Sequence, residues 1–192
     1  MSEKVFGKRV KRNEDARLLT GNALFVDDVH LPHMGHIAFL RSPYANARIR
    51  SVDVSKALEM EGVIAVFTAA DLGDYWKPAP LLLSPPPIER LTFVERTQPP
   101  LAKDFARYVG EPVAIVVAEN RYLAEDALDL IVVDFAVRKP VVDMEQALEK
   151  DAPLVHDELG DNVAAHVIQT KGDYDAIAKK AEVVVARRFD YD

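Results

Sequence analysis

The sequence predicts an α+β protein with a mixed sheet and short helices. Strand-like and helix-like segments alternate along its 192 residues, 49% of which are hydrophobic and 29% charged, a composition typical of soluble globular proteins. This length suits one domain of ordinary size, or one domain plus part of a second.

Three segments in the first half of the chain are predicted strands. His36–Arg41 is short and mostly apolar. Ala47–Val54 alternates apolar and polar side chains, which indicates a half-buried strand. Val63–Phe67 is apolar, and we expect it to be a buried strand.

Two short helical features are predicted around the third strand. Ser55 is expected to cap a helix through Met60, and Gly62 then ends that helix because glycine tolerates the left-handed conformation. Thr68–Asp71 is typical of a capped helical turn.

Gly73–Pro100 is rich in proline. Because proline lacks an N–H donor and fixes φ, this segment is predicted to be neither a regular helix nor a central strand. Tyr75 and Trp76 could anchor it on a surface. Two interpretations stay open. The segment is either an ordered loop that covers a surface or contacts a partner, or a variable surface loop.

The clearest local unit is a strand, a helix and a second strand. Pro112–Ala118 is continuously apolar, Asn120 can cap the following helix, and Ile131–Val137 is again strand-like. The helix carries an apolar stripe on one side, formed by Leu123, Ala124, Ala127, Leu128 and Ile131.

The last fifty residues predict four further elements. These are a short helix over 143–149, a strand over Val163–Thr170, a helix through Lys180 capped by Asp173, and a strand over Glu182–Tyr191. No further strand follows this last one to pair with it. This favours missing sequence or a partner chain.

The composition excludes several classes of site. The chain has no cysteine, which excludes disulfides, iron–sulfur ligation and thiolate metal sites and is compatible with a reducing compartment. The polar N-terminus does not resemble a signal peptide, and runs such as Val113–Ala118 are too short to cross a bilayer. We therefore expect a cytoplasmic protein that has no membrane partner.

A nucleic-acid partner is not expected either, because the net charge is −7. The one basic cluster is better explained as a solvated N-terminal arm, and it comprises Lys4, Lys8, Arg9, Lys11 and Arg12.

The histidines give weak signals. His30, His33 and His36 are three residues apart, but Pro32 interrupts the run and disfavours a helix that would bring them to one face as metal ligands. His166 lies in a predicted strand and is interpreted as structural.

His156 could form an acid/base pair with Asp157 or Glu158, although such spacing is common by chance. No nucleotide-binding, zinc-protease, serine-hydrolase or EF-hand signature occurs. The residues taken alone name no reaction.

A series of short motifs occurs in a fixed order along nearly the whole chain. They are Gly7–Asp15, Leu18–Gly21, Val26–Asp28, Arg41–Ile49, Asp53–Ser55, Thr68–Leu72, Tyr108–Ala114, Val117–Glu119, Ala124–Ala127, Pro153–Leu159 and Gly172-Asp173. In this order they resemble the N-terminal part of the molybdenum-binding large subunit of the xanthine dehydrogenase, aldehyde oxidase and aerobic carbon monoxide dehydrogenase family. Tyr44 and Asn46 replace two histidines of the family, and Val137–Pro140 replaces an E-P-L-P-like segment.

The resemblance implies a basic N-terminal arm over residues 1–20 and an α/β-hammerhead domain over 21–142. Residues 143–192 would be a linker and the first elements of a molybdenum-cofactor-binding domain. It also implies an enzyme with molybdenum-molybdopterin, iron–sulfur clusters and FAD. These would be held mainly by the remainder of the molybdenum-binding subunit and by iron–sulfur and flavin partners. The substrate would be an aldehyde, a purine, an N-heterocycle or CO.

No catalytic, cofactor-binding or metal-binding residue is carried over to this chain, because the family's contacts lie further along the subunit. Gly110, Glu111 and Pro112 match a family motif, yet a tight turn before a core strand explains them.

Three hypotheses follow. The first is a structural N-terminal part of a molybdenum hydroxylase, which walls the cofactor–substrate cleft and contacts other subunits. The second is a free-standing binding or assembly module with the same fold and no redox activity. The third is an acid/base enzyme that uses His156.

Overall fold

The computed structural model describes residues 6–82, 85, 87 and 90–189. Of the residues named above, Lys4 and Tyr191 lie outside this part. The strands of the described part are β1 (His36–Arg41), β2 (Ala47–Asp53), β3 (Val63–Thr68), β4 (Leu91–Phe93), β5 (Phe105–Ala106), β6 (Pro112–Ala118), β7 (Val132–Val137) and β8 (Ala165–Val167).

The α-helices are α1 (Asp15–Leu19), α2 (Ser55–Leu58), α3 (Arg121–Leu128) and α4 (Tyr174–Ala178). Four 3-10 turns occur in the same described part, at Val26–Asp28, Gly73–Tyr75, Gln146–Leu148 and Asp157–Leu159. None of the helices in the described ranges has the length and apolarity needed to span a bilayer.

The strands form three small sheets, with orders β1-β6-β3, β5-β2-β7 and β4-β8. The pairs β2–β5 and β4–β8 are antiparallel, and Thr92 lies opposite His166 in the second pair. Small sheets with short helices confirm the predicted α+β class. The two strands that flank α3 belong to different sheets.

Two compact units divide the chain. The first contains residues 1–39, 53–66 and 115–132, and the second contains residues 40–52, 67–114 and 133–192. In the first unit, α3 buries Ala124 and Ala127 fully on its apolar side. In the second unit, Ile49, Ala102 and Val113 form a buried core cluster.

Local sequence signals predicted the central elements well. The bounds of β1 and β6 are those expected, and β2 is one residue shorter. The Asn120 carboxamide oxygen accepts a hydrogen bond from the Leu123 N–H at 3.0 Å, which confirms the predicted cap of α3. Gly62 has the expected positive φ of +86°, but α2 ends at Leu58 and not at Met60, so the predicted helix end at Gly62 is wrong.

Two further local predictions are wrong. Ser55 does not cap α2 but is its first residue, because the Asp53 carboxylate accepts hydrogen bonds from the Ser55 N–H and Oγ–H instead. Strand β3 is not buried as a whole, since Val66 is its one buried residue.

The C-terminal stretch is less regular than predicted. Val163–Thr170 shortens to β8, and the predicted strand Glu182–Tyr191 has no strand residue within 182–189. The Asp173 cap is confirmed, since its Oδ1 accepts from the Ala176 N–H at 3.0 Å, but α4 ends at Ala178. The helix expected over 143–149 is a single 3-10 turn.

The proline-rich segment contains one 3-10 turn and the three-residue strand β4 in its described part, which confirms that it is neither a regular helix nor a central strand. The Trp76 indole N–H donates to the Leu101 carbonyl at 2.8 Å. Trp76 therefore anchors the start of the segment beside a fully buried leucine, whereas Tyr75 is exposed.

Candidate functional site

The motifs Arg41–Ile49 and Tyr108–Ala114 meet in space. The Ser42 N–H donates to the Glu111 carbonyl at 2.9 Å, and the Gly110 N–H donates to the Ser42 carbonyl at 2.8 Å. The Arg41 guanidinium donates to the Gly110 carbonyl at 2.9 Å. We call these four residues the motif junction. It joins segments almost seventy residues apart, so it explains why both motifs occur without requiring a catalytic role.

Glu111 is the buried carboxylate of the motif junction, and 4% of the residue is exposed. It accepts a hydrogen bond from the Arg107 backbone N–H. Burial raises the pKa of Glu111, and the hydrogen bond from Arg107 opposes that rise only in part. Gly110 has φ of +89° and β6 begins at Pro112, which confirms the predicted tight turn before a core strand.

The two departures from the family motif both make contacts within the second unit, and Asn46 is buried whereas Tyr44 is partly exposed. The Tyr44 ring meets Phe135 edge-on, with centroids 5.3 Å apart. The Asn46 carboxamide donates to the Lys139 carbonyl at 3.0 Å, and the Arg138 N–H donates to the Asn46 carbonyl at 2.8 Å. Both residues therefore stabilise the second unit.

His156 lies at the start of the turn Asp157–Leu159. Its Nδ1 is 3.6 Å from a Glu158 carboxylate oxygen. Asp157 instead forms two hydrogen bonds with the Arg138 guanidinium, at 2.7 and 2.9 Å. Of the two acid/base pairs considered, only the pair with Glu158 has its side chains close together, at a distance too long for a hydrogen bond.

Burial lowers the pKa of His156, and the nearby Arg107 lowers it further, while Glu158 opposes both effects. His156 is therefore mainly neutral at pH 7. The guanidinium of Arg138 lowers the pKa of Asp157, which stays ionised. A mainly neutral imidazole and the Arg138–Asp157 ion pair are therefore found on consecutive residues.

A cavity of about 200 Å³ opens beside His156. We call it the arginine cavity. Trp76 forms part of its wall, and its polar lining comprises Arg96, Thr97, Lys103, Asp104, Arg107, His156 and Glu158. Within the described residues, the buried Arg107 Nε and His156 Nδ1 have no hydrogen-bond partner.

The N-terminal histidines do not form a site together. His30 and His36 line a surface depression that also contains the ion pair between Arg121 and Asp27, at 3.2 Å. His33 has φ of +59°. In residues 6–82, 85, 87 and 90–189, no group of three His, Asp or Glu side chains is placed to hold a metal ion.

Sequence reasoning missed the arginine cavity. It considered His156, but not Arg96, Lys103 or Arg107. Arg107 precedes the motif Tyr108–Ala114 directly, and the chain places it beside a histidine about fifty residues later. No local periodicity indicates such a contact, so sequence reasoning had no signal to find it.

A family model described as the a/b hammerhead domain of aldehyde oxidase and xanthine dehydrogenase matches residues 20–139. Nicotine 6-hydroxylase large subunit of Paenarthrobacter nicotinovorans is 40% identical over 186 residues, covering 97% of this chain and 22% of that protein. Carbon monoxide dehydrogenase large chain of Afipia carboxidovorans is 39% identical over 198 residues, covering 96% and 23%.

Solved structures agree with this assignment. Quinoline 2-oxidoreductase from Pseudomonas putida 86 superposes with a TM-score of 0.74 at 41% identity, over 84% of this chain and 20% of that one. The chain thus spans less than a quarter of the length of these relatives.

Proposed function

Because this chain belongs to the hammerhead-domain family of aldehyde oxidase and xanthine dehydrogenase, we propose that it is the N-terminal structural part of a molybdenum hydroxylase large subunit. It would form part of the wall of the cofactor–substrate cleft and contact the other subunits. The substrate would be a small molecule of the kinds named for the relatives, such as an N-heterocycle or CO. Residues 1–20 would be the arm, 21–142 the hammerhead domain, and 143–192 the linker and first elements of the next domain.

The proposed contact with other polypeptides rests on one observation. Val183, Val184, Val185 and Phe189 are between 61 and 89% exposed, in a stretch without regular structure. Contiguous exposed apolar side chains are typical of surfaces that another polypeptide covers. We propose that the remainder of the molybdenum-binding subunit covers this stretch.

The described residues do not fit direct ligation of the expected metals. Iron–sulfur clusters need cysteine thiolates, and the sequence has none. The described residues offer no cluster of three metal-binding side chains. Molybdenum-molybdopterin, iron–sulfur clusters and FAD therefore belong, in this proposal, to the rest of the large subunit and to partner chains. No catalytic step is assigned to a residue of this chain.

The first test is purification of the full chain from its native host under mild conditions, followed by measurement of molybdenum, iron and the masses of co-purifying polypeptides. The proposal predicts both metals and larger chains that carry iron–sulfur clusters and flavin. A chain that emerges alone and free of metal would contradict it and would support the free-standing module.

A variant pair tests the contact role. Val184→Asp places a charge in the exposed apolar stretch, so we expect it to lose the co-purifying chains. Val142→Asp makes the same change at an exposed valine outside that stretch and should retain them. Circular dichroism of both variants checks that each still folds. If both variants retained the co-purifying chains equally, residues 183–189 would not form the contact surface.

A further inference from the structure

We propose that the arginine cavity is a binding site for a small oxyanion of the phosphate type. Nothing in this inference depends on the proposed role in a molybdenum hydroxylase. It rests on the charges that line the cavity, on a buried donor that lacks an acceptor, and on the size of the space.

The permanent charges in the cavity favour an anion. Arg96, Lys103 and Arg107 line it together with two carboxylates, Asp104 and Glu158. Glu158 already faces two partners, since it is 3.4 Å from the Arg96 guanidinium and 3.6 Å from His156. Among the described residues, neither Arg107 nor Lys103 forms a side-chain ion pair within 4.0 Å, although the charge of Arg107 acts on Glu111, Asp157 and Glu158. This leaves positive charge in the cavity of a protein whose net charge is −7.

Arg107 provides the donor. Its Nε is buried and donates to no acceptor in the described part of the chain. A buried donor without a partner is unfavourable, and an ion is one of the partners that can satisfy it. The planar guanidinium presents several N–H groups to oxyanions in a fixed geometry. Arg107 is also held in place, because Glu111 accepts its backbone N–H and its guanidinium lies 5.6 Å from the Phe105 ring.

Two other lining residues, Lys103 and Trp76, are also held by contacts. The Lys103 ammonium lies 5.3 Å from the centre of the Trp76 ring. Trp76 is held by its hydrogen bond to the Leu101 carbonyl. The space of about 200 Å³ is far larger than the roughly 10–15 Å³ that a single water molecule needs. That space suits one tetrahedral oxyanion with a few waters.

His156 gives an internal reporter of occupancy. Its imidazole lines the same cavity, and its buried Nδ1 has no hydrogen bond. The groups that act on it are Arg96, Arg107 and Glu158, together with burial, and their net effect lowers the pKa of His156. A bound oxyanion adds negative charge beside the imidazole, so it must raise that pKa.

The test is an NMR titration of the full chain with inorganic phosphate, with sodium chloride used to hold the ionic strength constant. The His156 ring signals and the Trp76 indole N–H signal are followed. We expect saturable shifts and a higher His156 pKa in phosphate than in chloride. Glycerol 3-phosphate is titrated in parallel. Binding of both compounds identifies the phosphate end of a larger molecule, and binding of phosphate alone identifies the free ion.

Three variants separate specific binding from general charge attraction. Arg107→Gln should weaken phosphate binding roughly tenfold or more, as expected for the loss of a charge-assisted hydrogen bond. Lys103→Gln should weaken it as well. Arg50→Gln removes the same charge from an exposed ion pair with Asp134 outside the cavity lining and should bind phosphate as the parent does.

Two results would overturn the proposal. One is the absence of saturable shifts in the parent chain. The other is equal weakening by Arg107→Gln and Arg50→Gln, which would indicate attraction by net charge only. If Arg107→Gln loses its dispersed NMR spectrum, the variant has unfolded and Lys103→Gln becomes the deciding variant. Unchanged phosphate binding by Lys103→Gln would then contradict a site in the arginine cavity.

Discussion

Residues 36–139 and residues 140–189 are stabilised in different ways. Every buried residue of the described chain lies between Ala38 and Ile131, whereas none of the described residues after Ile131 is buried. The earlier region is therefore held by apolar burial. The later region depends on side-chain caps, a short strand pair and ion pairs such as Arg138–Asp157. The same polypeptide thus contains a packed region and one in which local polar contacts dominate.

Three carboxylates, one in the packed region and two in the later region, show how burial and hydrogen bonding act in opposite directions on a pKa. In the packed region, burial raises the pKa of Glu111. In the later region, Asp157 and Glu158 are exposed and both have lowered pKa values. For Asp157 the first cause is the hydrogen bond from Arg138, and for Glu158 it is a backbone hydrogen bond. Burial therefore decides the direction of the pKa change at Glu111, and hydrogen bonding decides it at Asp157 and Glu158.

The largest effect is expected from truncation in the packed region. Leu101 is fully buried, so Leu101→Ala should lower the free energy of unfolding by about 2–5 kcal/mol. Leu148→Ala makes the same change at a side chain that is 69% exposed and should change it by less than about 0.5 kcal/mol. Urea denaturation followed by circular dichroism measures both. Similar losses in the two variants would show that the later region also contains a core.

A smaller difference is expected between the two helix caps. Asn120→Ala removes the cap of α3, which buries Ala124 and Ala127, and should lower the free energy of unfolding by about 0.5–2 kcal/mol. Asp173→Ala removes the cap of α4, which has no buried residue. We expect that change to speed amide exchange in α4 and leave the urea midpoint unchanged. A lowered midpoint in Asp173→Ala would mean that α4 takes part in global unfolding.

The smallest effect is a difference in pH dependence. The pKa of Glu111 in the folded state is raised above its ordinary value of 4.5. Its neutral form is therefore favoured by folding, and stability is lost as pH rises from about that value through the raised pKa. Glu111→Gln should flatten the stability profile in this window. An unchanged profile in the variant would assign the loss to another group.

For Asp157 the sign is opposite. Its pKa in the folded state lies below the ordinary 3.8, so the stability it contributes is present above that value and is lost as pH falls through the lowered pKa. Arg138→Gln should move the pKa of Asp157 back toward 3.8, measured by NMR titration of the carboxyl carbon. A pKa that stays low would exclude Arg138 as the main cause.

The sequence was most informative where a local pattern and the packing agree. The apolar run Pro112–Ala118 and the Asn120 cap were predicted correctly, because burial on the core enforces the same elements that local preference favours. The apolar run Val183–Val185 gave an equally strand-like signal, yet these residues are exposed and form no strand. A strand pattern needs a neighbouring strand, and the sequence alone does not show whether one is present.

The motif junction and the arginine cavity differ in how far the sequence indicated them. Here too, the reason is that contacts between distant residues are not visible in local patterns. The resemblance marked both halves of the motif junction, although their contact could not be derived from spacing. The arginine cavity combines Arg96 and Arg107 with His156, which is about fifty residues or more away from either. Only the folded chain brings these groups together, so local sequence patterns gave no indication of the cavity.

Trp76 is the chain's single tryptophan, and its position makes it a useful optical probe. Its indole is held against the Leu101 carbonyl and has the Lys103 ammonium 5.3 Å from its ring. Fluorescence excited in the tryptophan band therefore originates from one point, at the junction of the proline-rich segment with the buried region. Emission wavelength and quenching at that point report directly on whether the segment stays docked, without any added label.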